Sequence, residues 1–587
     1  MKFALLFLFI ISGRFAFTQE SNWIEIEGKV LSEETHEPLP YLRIYNKTTK
    51  KGTISNSDGY FSISISAVSD SVVITELGYN LQIVALKPNI NYYVIYLELA
   101  EIALEEVLIT PKDDSYLFEM IRKCKKNESS GSNTAKAYYE LKSYHDSTQI
   151  ELVEGFYNAE LNGSDVTGLH LKAGRLAIQP YENRLFTSQA SSRAITQLKL
   201  TEENEYFPKT PISAGKREAE KKFYLILDYA YLDEKKDSVY VIHYGPKKGS
   251  EGCFSGDLWV NITSFQLEKI TMNCTNCSVH PFLPLFPADS ISNVDLSISK
   301  SFVRVDGKVL FNNVHFSYSV DYKSRTGKAE ELSYSIKTNA ILYAYDFKNP
   351  FSLPKFTLLA NIDDYRKINA FPYNDFFWRY NDEYRLNDSE NRNELFFSNP
   401  ESVTNATFFK PQGAEKFAVN KKRGFFEHPY VHWSTNRIVL KEMIADSTTL
   451  ESVNAIKAEM YHLDVKVFAD LDSYSDSTVL LTETIIDPFT TYYYLPIDNA
   501  ANCFINMYFD LCEIERRKWV ATLKPNELST SQYEDKYLEF KTRLEKQQQL
   551  FLKETERGTN RKQLEKWNTL IKQELQIDNM DLFGLSE

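Results

Sequence analysis

Cysteine is sparse in this chain: six residues among 587, at positions 124, 253, 274, 277, 503 and 512. That is too few for a disulfide scaffold, although it allows a few bridges after export. Long apolar runs are also missing. Past the N-terminus no stretch of about twenty apolar residues occurs, which excludes a membrane-spanning helix in the mature chain. Alternating segments such as 222–230 are too weakly marked for a membrane barrel. Positive charge is in deficit too, with a formal net charge of -13. The lysines are scattered rather than gathered into a stripe, so a nucleic-acid partner is not expected. Gly-x-Ser-x-Gly, Gly-x-x-x-x-Gly-Lys and the dinucleotide fingerprint are absent, and no cofactor is expected.

What is abundant is aromatic: 37 tyrosines and 38 phenylalanines, residues that fit half-buried strands. A chain this long divides into several domains. Residues 1–18 read as a signal peptide, with Lys2, an apolar run from Phe3 to Ile11, and the small residues Ala16 and Thr18 before Gln19. That layout implies export, with no cysteine near the cleavage region to carry a lipid. The expected location is the periplasm or the outer membrane, or secretion beyond it.

The pattern predicts a mainly β, multidomain chain. Residues 22–110 form an N-terminal β-sandwich, in which Ile24, Ile26 and Val30, then Phe61, Ile63 and Ile65, alternate with polar neighbours at the strand period of two. Gly59 supplies the turn at Asn56-Ser57-Asp58-Gly59. Residues 111–133 are a helical linker built on Tyr116, Met120 and Ile121. Residues 134–347 form a curved antiparallel sheet, with clear strands at Phe223–Leu227, Val239–His243, Phe265–Met272 and Val314–Val320. Residues 348–430 are an irregular aromatic-rich connection packed over that sheet, since a disordered linker would carry less apolar surface.

Residues 431–528 read as a mixed α/β domain. Its helix carries the stripe Phe504, Tyr508, Leu511 and Trp519. Residues 529–587 end the chain in a helical hairpin, with Gly558 between its two arms.

Two resemblances follow from particular residues. Ile26-Glu27-Gly28-Lys29-Val30, Pro38-Leu39-Pro40-Tyr41, Asn56-Ser57-Asp58-Gly59-Tyr60-Phe61, Leu77-Gly78-Tyr79 and Leu104-Glu105-Glu106-Val107 resemble the carboxypeptidase-regulatory-like domain. That domain stands at the front of many exported Bacteroidota proteins, and it implies a sandwich with no catalysis of its own. The segment from Phe254 to Thr263, continuing through Phe265 to Ile270, is similar to paired strands of the outer-membrane lipoprotein carrier fold. This second likeness implies a sheet with an apolar concave side able to hold an acyl chain or an apolar peptide. The competing reading is that the same aromatic side chains pack against a helix or a second sheet.

Residues able to do chemistry are few. Glu427, His428 and His432, with His462 thirty residues on, are candidate metal ligands, but they lack the His-Glu-x-x-His order and Pro429 interrupts a helix across them. Ordinary hydrogen-bonded histidines are the competing reading. Cys274 and Cys277 suit a disulfide within their loop, or from one of them to Cys253. Zinc bound with His280 and a redox pair are the other readings. Cys503 and Cys512 are read as buried small apolar residues, and Asp510, Glu513 and Glu515 as a charged helix surface. The expectation is a non-catalytic envelope binding or assembly protein, whose partners are an envelope protein, an apolar ligand or a peptide. The alternative is a metallopeptidase-like hydrolase that uses the sandwich as an accessory.

Overall fold

The computed structural model describes residues 23–586 apart from 49–51, 67–70, 88–89, 101–114, 129–130, 182–185, 187–190, 203, 234, 285–286, 326–331, 357–362, 382, 384–385, 387–390, 407–415, 418–429, 441–460, 475–476, 489, 494–495 and 525–528. Residues 1–18, read from the sequence as a signal peptide, and His428 lie outside the described residues. The chain divides into two compact units, one of residues 1–100 with 386–390 and one of the remainder.

The first unit is a β-sandwich of β1 (Trp23–Ser32), β2 (Arg43–Asn46), β3 (Gly52–Ile54), β4 (Tyr60–Ser66), β5 (Ser71–Thr75), β6 (Gln82–Ala85) and β7 (Tyr92–Leu97). One sheet runs β4-β1-β7 and the other β3-β2-β5-β6. Alternation along the strands sends Ile26, Val30, Phe61 and Ile63 from one sheet onto Ile44, Val72 and Ile74 of the other. Gly59 has φ +71° and a Cβ there would meet the Val30 carbonyl oxygen at 2.5 Å, so the turn into β4 requires glycine.

The second unit begins with α1 (Ser115–Asn127), β8 (Ser132–His145), β9 (Thr148–Asn162), β10 (Asp165–Ile178), α2 (Ser191–Gln197) and α3 (Lys216–Lys222). It continues through β11 (Phe223–Leu232), β12 (Ser238–Pro246), β13 (Gly256–Asn261), β14 (Gln266–Cys274), β15 (Ser290–Val305), β16 (Lys308–Ser324) and β17 (Leu332–Asp346). Then come α4 (Asp364–Asn369), α5 (Asp375–Tyr380), α6 (Arg392–Ser398) and β18 (Val403–Thr404). The strands make one antiparallel sheet in the order β11-β12-β13-β14-β15-β16-β17-β8-β9-β10-β18.

One face of this sheet, here called inner, packs Tyr139, Tyr157, Leu176, Phe223, Tyr244 and Phe316 into a core with Leu117, Phe118, Ile121 and Cys124 of α1. Ala194 and Ile195 of α2, Phe207, and Ile368 of α4 complete it. The apolar residues of α1 fall on one side, and Lys125 and Lys126 close its last turn, where they favour the helix dipole. Gly174 lets α4 lie against β10, because a Cβ at that position would sit 2.6 Å from Ile368 Cγ1.

The 348–430 segment therefore holds short helices on both faces. While α4 joins the inner core, Phe377 and Trp378 of α5 stack on Phe156 from the outer face, at ring separations of 5.2 and 5.6 Å.

The C-terminal part holds β19 (Lys416–Phe417), β20 (Val431–His432), β21 (Val439–Leu440), β22 (Tyr461–His462), β23 (Val465–Tyr474), β24 (Ser477–Ile486) and β25 (Tyr492–Tyr493). Its helices are α7 (Asn499–Ala521), α8 (Thr530–Glu554), α9 (Arg561–Leu575) and α10 (Asn579–Leu582). They share one core with the β23-β24 hairpin, through Val467, Leu471, Phe504, Trp519, Phe540, Phe551 and Trp567. The last helices are thus walls of a common core, with α7 between them and the hairpin. Gly558, at φ +94° against the Phe504 ring, turns the chain between α8 and α9.

Candidate functional site

The charges of the second unit concentrate at one end of the large sheet. Lys172 projects from β10 with its ammonium 2.5 Å from Asp470 and 2.7 Å from Asp472, both on β23, and all three are fully buried. The Asn374 amide donates to Asp472 at 2.7 Å. Burial pushes the Asp470 carboxyl up to about 7, Lys172 opposes that and Asp472 adds to it. Burial alone would lower the Lys172 pKa, but the two carboxylates outweigh it and leave it raised. Two carboxylates around one ammonium carry an excess negative charge, which is why Asp472 adds to the upward push on Asp470.

Three residues along β10, Arg175 meets Glu154 at 2.6 Å and Glu394 of α6 at 2.8 Å, under the Trp378 ring at 4.5 Å. Tyr138 donates to Glu154 at 2.7 Å and Asn393 donates to Glu140 at 2.7 Å. These groups pair in closed sets. They fasten the excursion and the hairpin to the β9-β10 edge.

A third buried pair, Lys300 with Asp165 at 2.9 Å, lies on the inner face. Beside it a cavity of about 30 Å³ is bounded by Cys124, Lys125 and Glu128 at the end of α1, by Ser164, and by Leu200, Leu267 and Phe302. Burial, reinforced by the nearby Asp165, raises the Glu128 carboxyl to about 7 against the pull of Lys300. That volume admits water and little more.

The two described candidate metal ligands, His432 and His462, each have a different neighbour. His432 on β20 pairs with Glu483 of β24. His462 on β22 is exposed, stands beside Tyr492, and lines an open groove of about 800 Å³ with Tyr508 and Gln548. Among the described residues no group of three or more His, Cys, Asp or Glu is placed to hold a metal.

Cys274 is joined to Cys277, and Cys253 is a free, half-buried thiol. Cys503 and Cys512 are free and fully buried.

The reading of Asp510, Glu513 and Glu515 as a charged helix surface is corrected, since all three are buried. Asp510 accepts hydrogen bonds from Trp433, Arg437 and Asn579 at 2.7–2.8 Å. One and two turns back along α7, Asn506 and Asn502 accept from the backbone N–H groups of Ile438 and Leu440 at 3.0 Å. A polar row on α7 therefore grips the 433–440 segment, which consumes the carboxylate that solvent would otherwise have met.

Sequence reasoning missed Lys172, Arg175, Asp470 and Asp472. Their only signal is isolated charge within a strand, at i and i+2 for Asp470 and Asp472 and three apart for Lys172 and Arg175, which reads equally well as a solvated face.

Residues 26–109 match the family model of the CarboxypepD_reg-like domain, so the N-terminal sandwich is such a domain. None of the curated proteins matches the chain. Among solved structures, a LolA superfamily protein from Nitrosomonas europaea is 11% identical, over 39% of this chain and 93% of that one, with a TM-score of 0.16. The MucA/MucB complex structure of Pseudomonas aeruginosa gives 5% identity, 38% and 93% coverage and 0.15. A putative membrane-associated protein of unknown function from Bacteroides fragilis gives 8%, 56% and 99%, and 0.11.

Proposed function

We propose that the chain is a non-catalytic binding or assembly protein of the cell envelope, which holds an acyl chain or an apolar peptide segment on the inner face of its eleven-stranded sheet. The observation that supports this most is the way that face is closed. The 13-residue amphipathic helix α1 lays Leu117, Phe118, Ile121 and Cys124 on the sheet, beside Ala194 and Ile195 of α2 and Ile368 of α4. A helix of that length is marginal without its packing partner, which supports taking it as the part of the cover that moves. Because the adjoining cavity is only about 30 Å³, a ligand enters by displacing α1 and trading its contacts for its own.

The pairing of the buried charges supports a binding role over a hydrolytic one. An envelope location is supported by the reading of residues 1–18 and by the company that CarboxypepD_reg-like domains keep. No helix of the described residues is long and apolar enough to cross a membrane.

The test is native mass spectrometry of the protein purified from its own envelope, paired with titration of the delipidated protein by a fluorescent fatty acid and by an apolar peptide. A retained apolar mass or saturable binding, weakened by Phe118→Asp, is expected. Protein without retained mass that binds neither probe contradicts the proposal.

A further inference from the structure

The turn that joins β9 to β10 places an unpartnered polar atom at the wall of the water-sized cavity beside α1. Ser164 is 4% exposed, and its hydroxyl is buried without a hydrogen-bond partner. Leaving such a group unpaired costs about 1–3 kcal/mol, and folded proteins keep few of them. The cavity's other polar side chains are already engaged. Lys125 donates to the Ser213 carbonyl at 3.2 Å, Asn127 to the Ser264 carbonyl at 3.2 Å, and Gln266 accepts from Arg304. What remains is the Ser164 hydroxyl and the Glu128 carboxyl, at a space of about 30 Å³ otherwise walled by Leu200, Ile212, Leu267 and Phe302. That space takes one oxygen atom.

We propose that this corner seats the polar end of the ligand, and that the ligand is an acyl chain ending in an uncharged ester whose carbonyl oxygen accepts from the Ser164 hydroxyl. The proposal rests on the reading of the inner face as a binding site, since the chain itself takes the ground that α1 gives up. One unpaired donor among apolar walls suits a molecule with one polar end. A peptide brings an N–H and a C=O at every residue, and this corner offers a partner to only one such group. The charge of the corner selects among acyl heads. Burial, with Asp165 behind it, already holds the Glu128 carboxyl up at about 7, while Lys300 and the Ser164 N–H pull the other way. A place that resists one negative charge resists a second, which disfavours a carboxylate head relative to an ester. When protonated, Glu128 is itself a donor for the same oxygen.

The experiment is displacement of a fluorescent fatty acid from the delipidated full chain by competitors of equal chain length: a monoacylglycerol, the free fatty acid and the alkane. The monoacylglycerol should compete best and the alkane worst. Ser164→Ala should weaken the monoacylglycerol by roughly threefold to tenfold and leave the alkane unchanged. The Tm of the ligand-free variant should hold or rise, because an unpaired hydroxyl is removed. A hydroxyl with a merely structural role would instead lower Tm and leave all the competitors as they were. Glu128→Gln should bring the fatty acid closer to the monoacylglycerol. Equal competition by ester and alkane, or a Ser164→Ala protein with the wild-type preference, overturns the polar seat while acyl binding stands. A fatty acid that competes as well as the ester, or better, overturns the uncharged head. A chain that binds no acyl probe at all overturns both this inference and the reading beneath it.

Discussion

The β10 edge and the β11 edge belong to one sheet, yet the chain treats them in opposite ways. At β10 the 348–405 excursion adds β18 as an extra strand and lays α4 on one face and α5 and α6 on the other, while carboxylates of β23 neutralise Lys172 and Glu394 of α6 pairs with Arg175. At β11 nothing in the sheet order follows, the outer side chains are apolar and exposed, and no buried ion pair is present among the described residues of the strand. An edge completed within the chain is built from polar groups fixed in number. The open edge instead carries apolar side chains that face water.

The comparison breaks most sharply at Lys172. Lys172→Met leaves Asp470 and Asp472 buried together without their cation, and should cost about 3–5 kcal/mol, read as a fall in the denaturation midpoint. Next is Gly174→Ala, whose Cβ would lie 2.6 Å from Ile368. It should cost about 1–3 kcal/mol by pushing α4 away from β10.

A pH effect sharpens the same edge. The folded Asp470 carboxyl, at about 7, lies above its unfolded value of about 3.9. The folded state therefore binds the proton more tightly, and this contribution is complete below about pH 4 and lost as pH rises through about 7. Denaturation midpoints should fall over that window, and Asp470→Asn should flatten the fall. The smallest effect belongs to the other edge. Ile226→Lys, at an exposed position, should change stability by no more than about 0.5 kcal/mol, read from the denaturation midpoint.

Much of this was legible where one side chain decides one contact. The period-two strands read at Phe223–Leu227, Val239–His243 and Val314–Val320 fall within β11, β12 and β16. The α7 stripe Phe504, Tyr508, Leu511 and Trp519 is buried throughout. Aromatic density in 348–430 correctly implied packing, but the short helices there were invisible, because six or seven residues leave too little periodicity to read.

The buried charges were illegible for a different reason. Lys172 and Asp470 are separated by 298 residues, and each looks locally like the solvent face of a strand. Only the meeting of β10 with β23 makes them interior. Asp510 was misread in the same way, since its partners Trp433, Arg437 and Asn579 come from both sides of α7 in the chain.

The contrast between the edges is most directly tested by hydrogen exchange of the backbone. The account predicts that amides of 171–178 are protected, while those of 223–227 exchange faster. Equal protection of the two strands would contradict it.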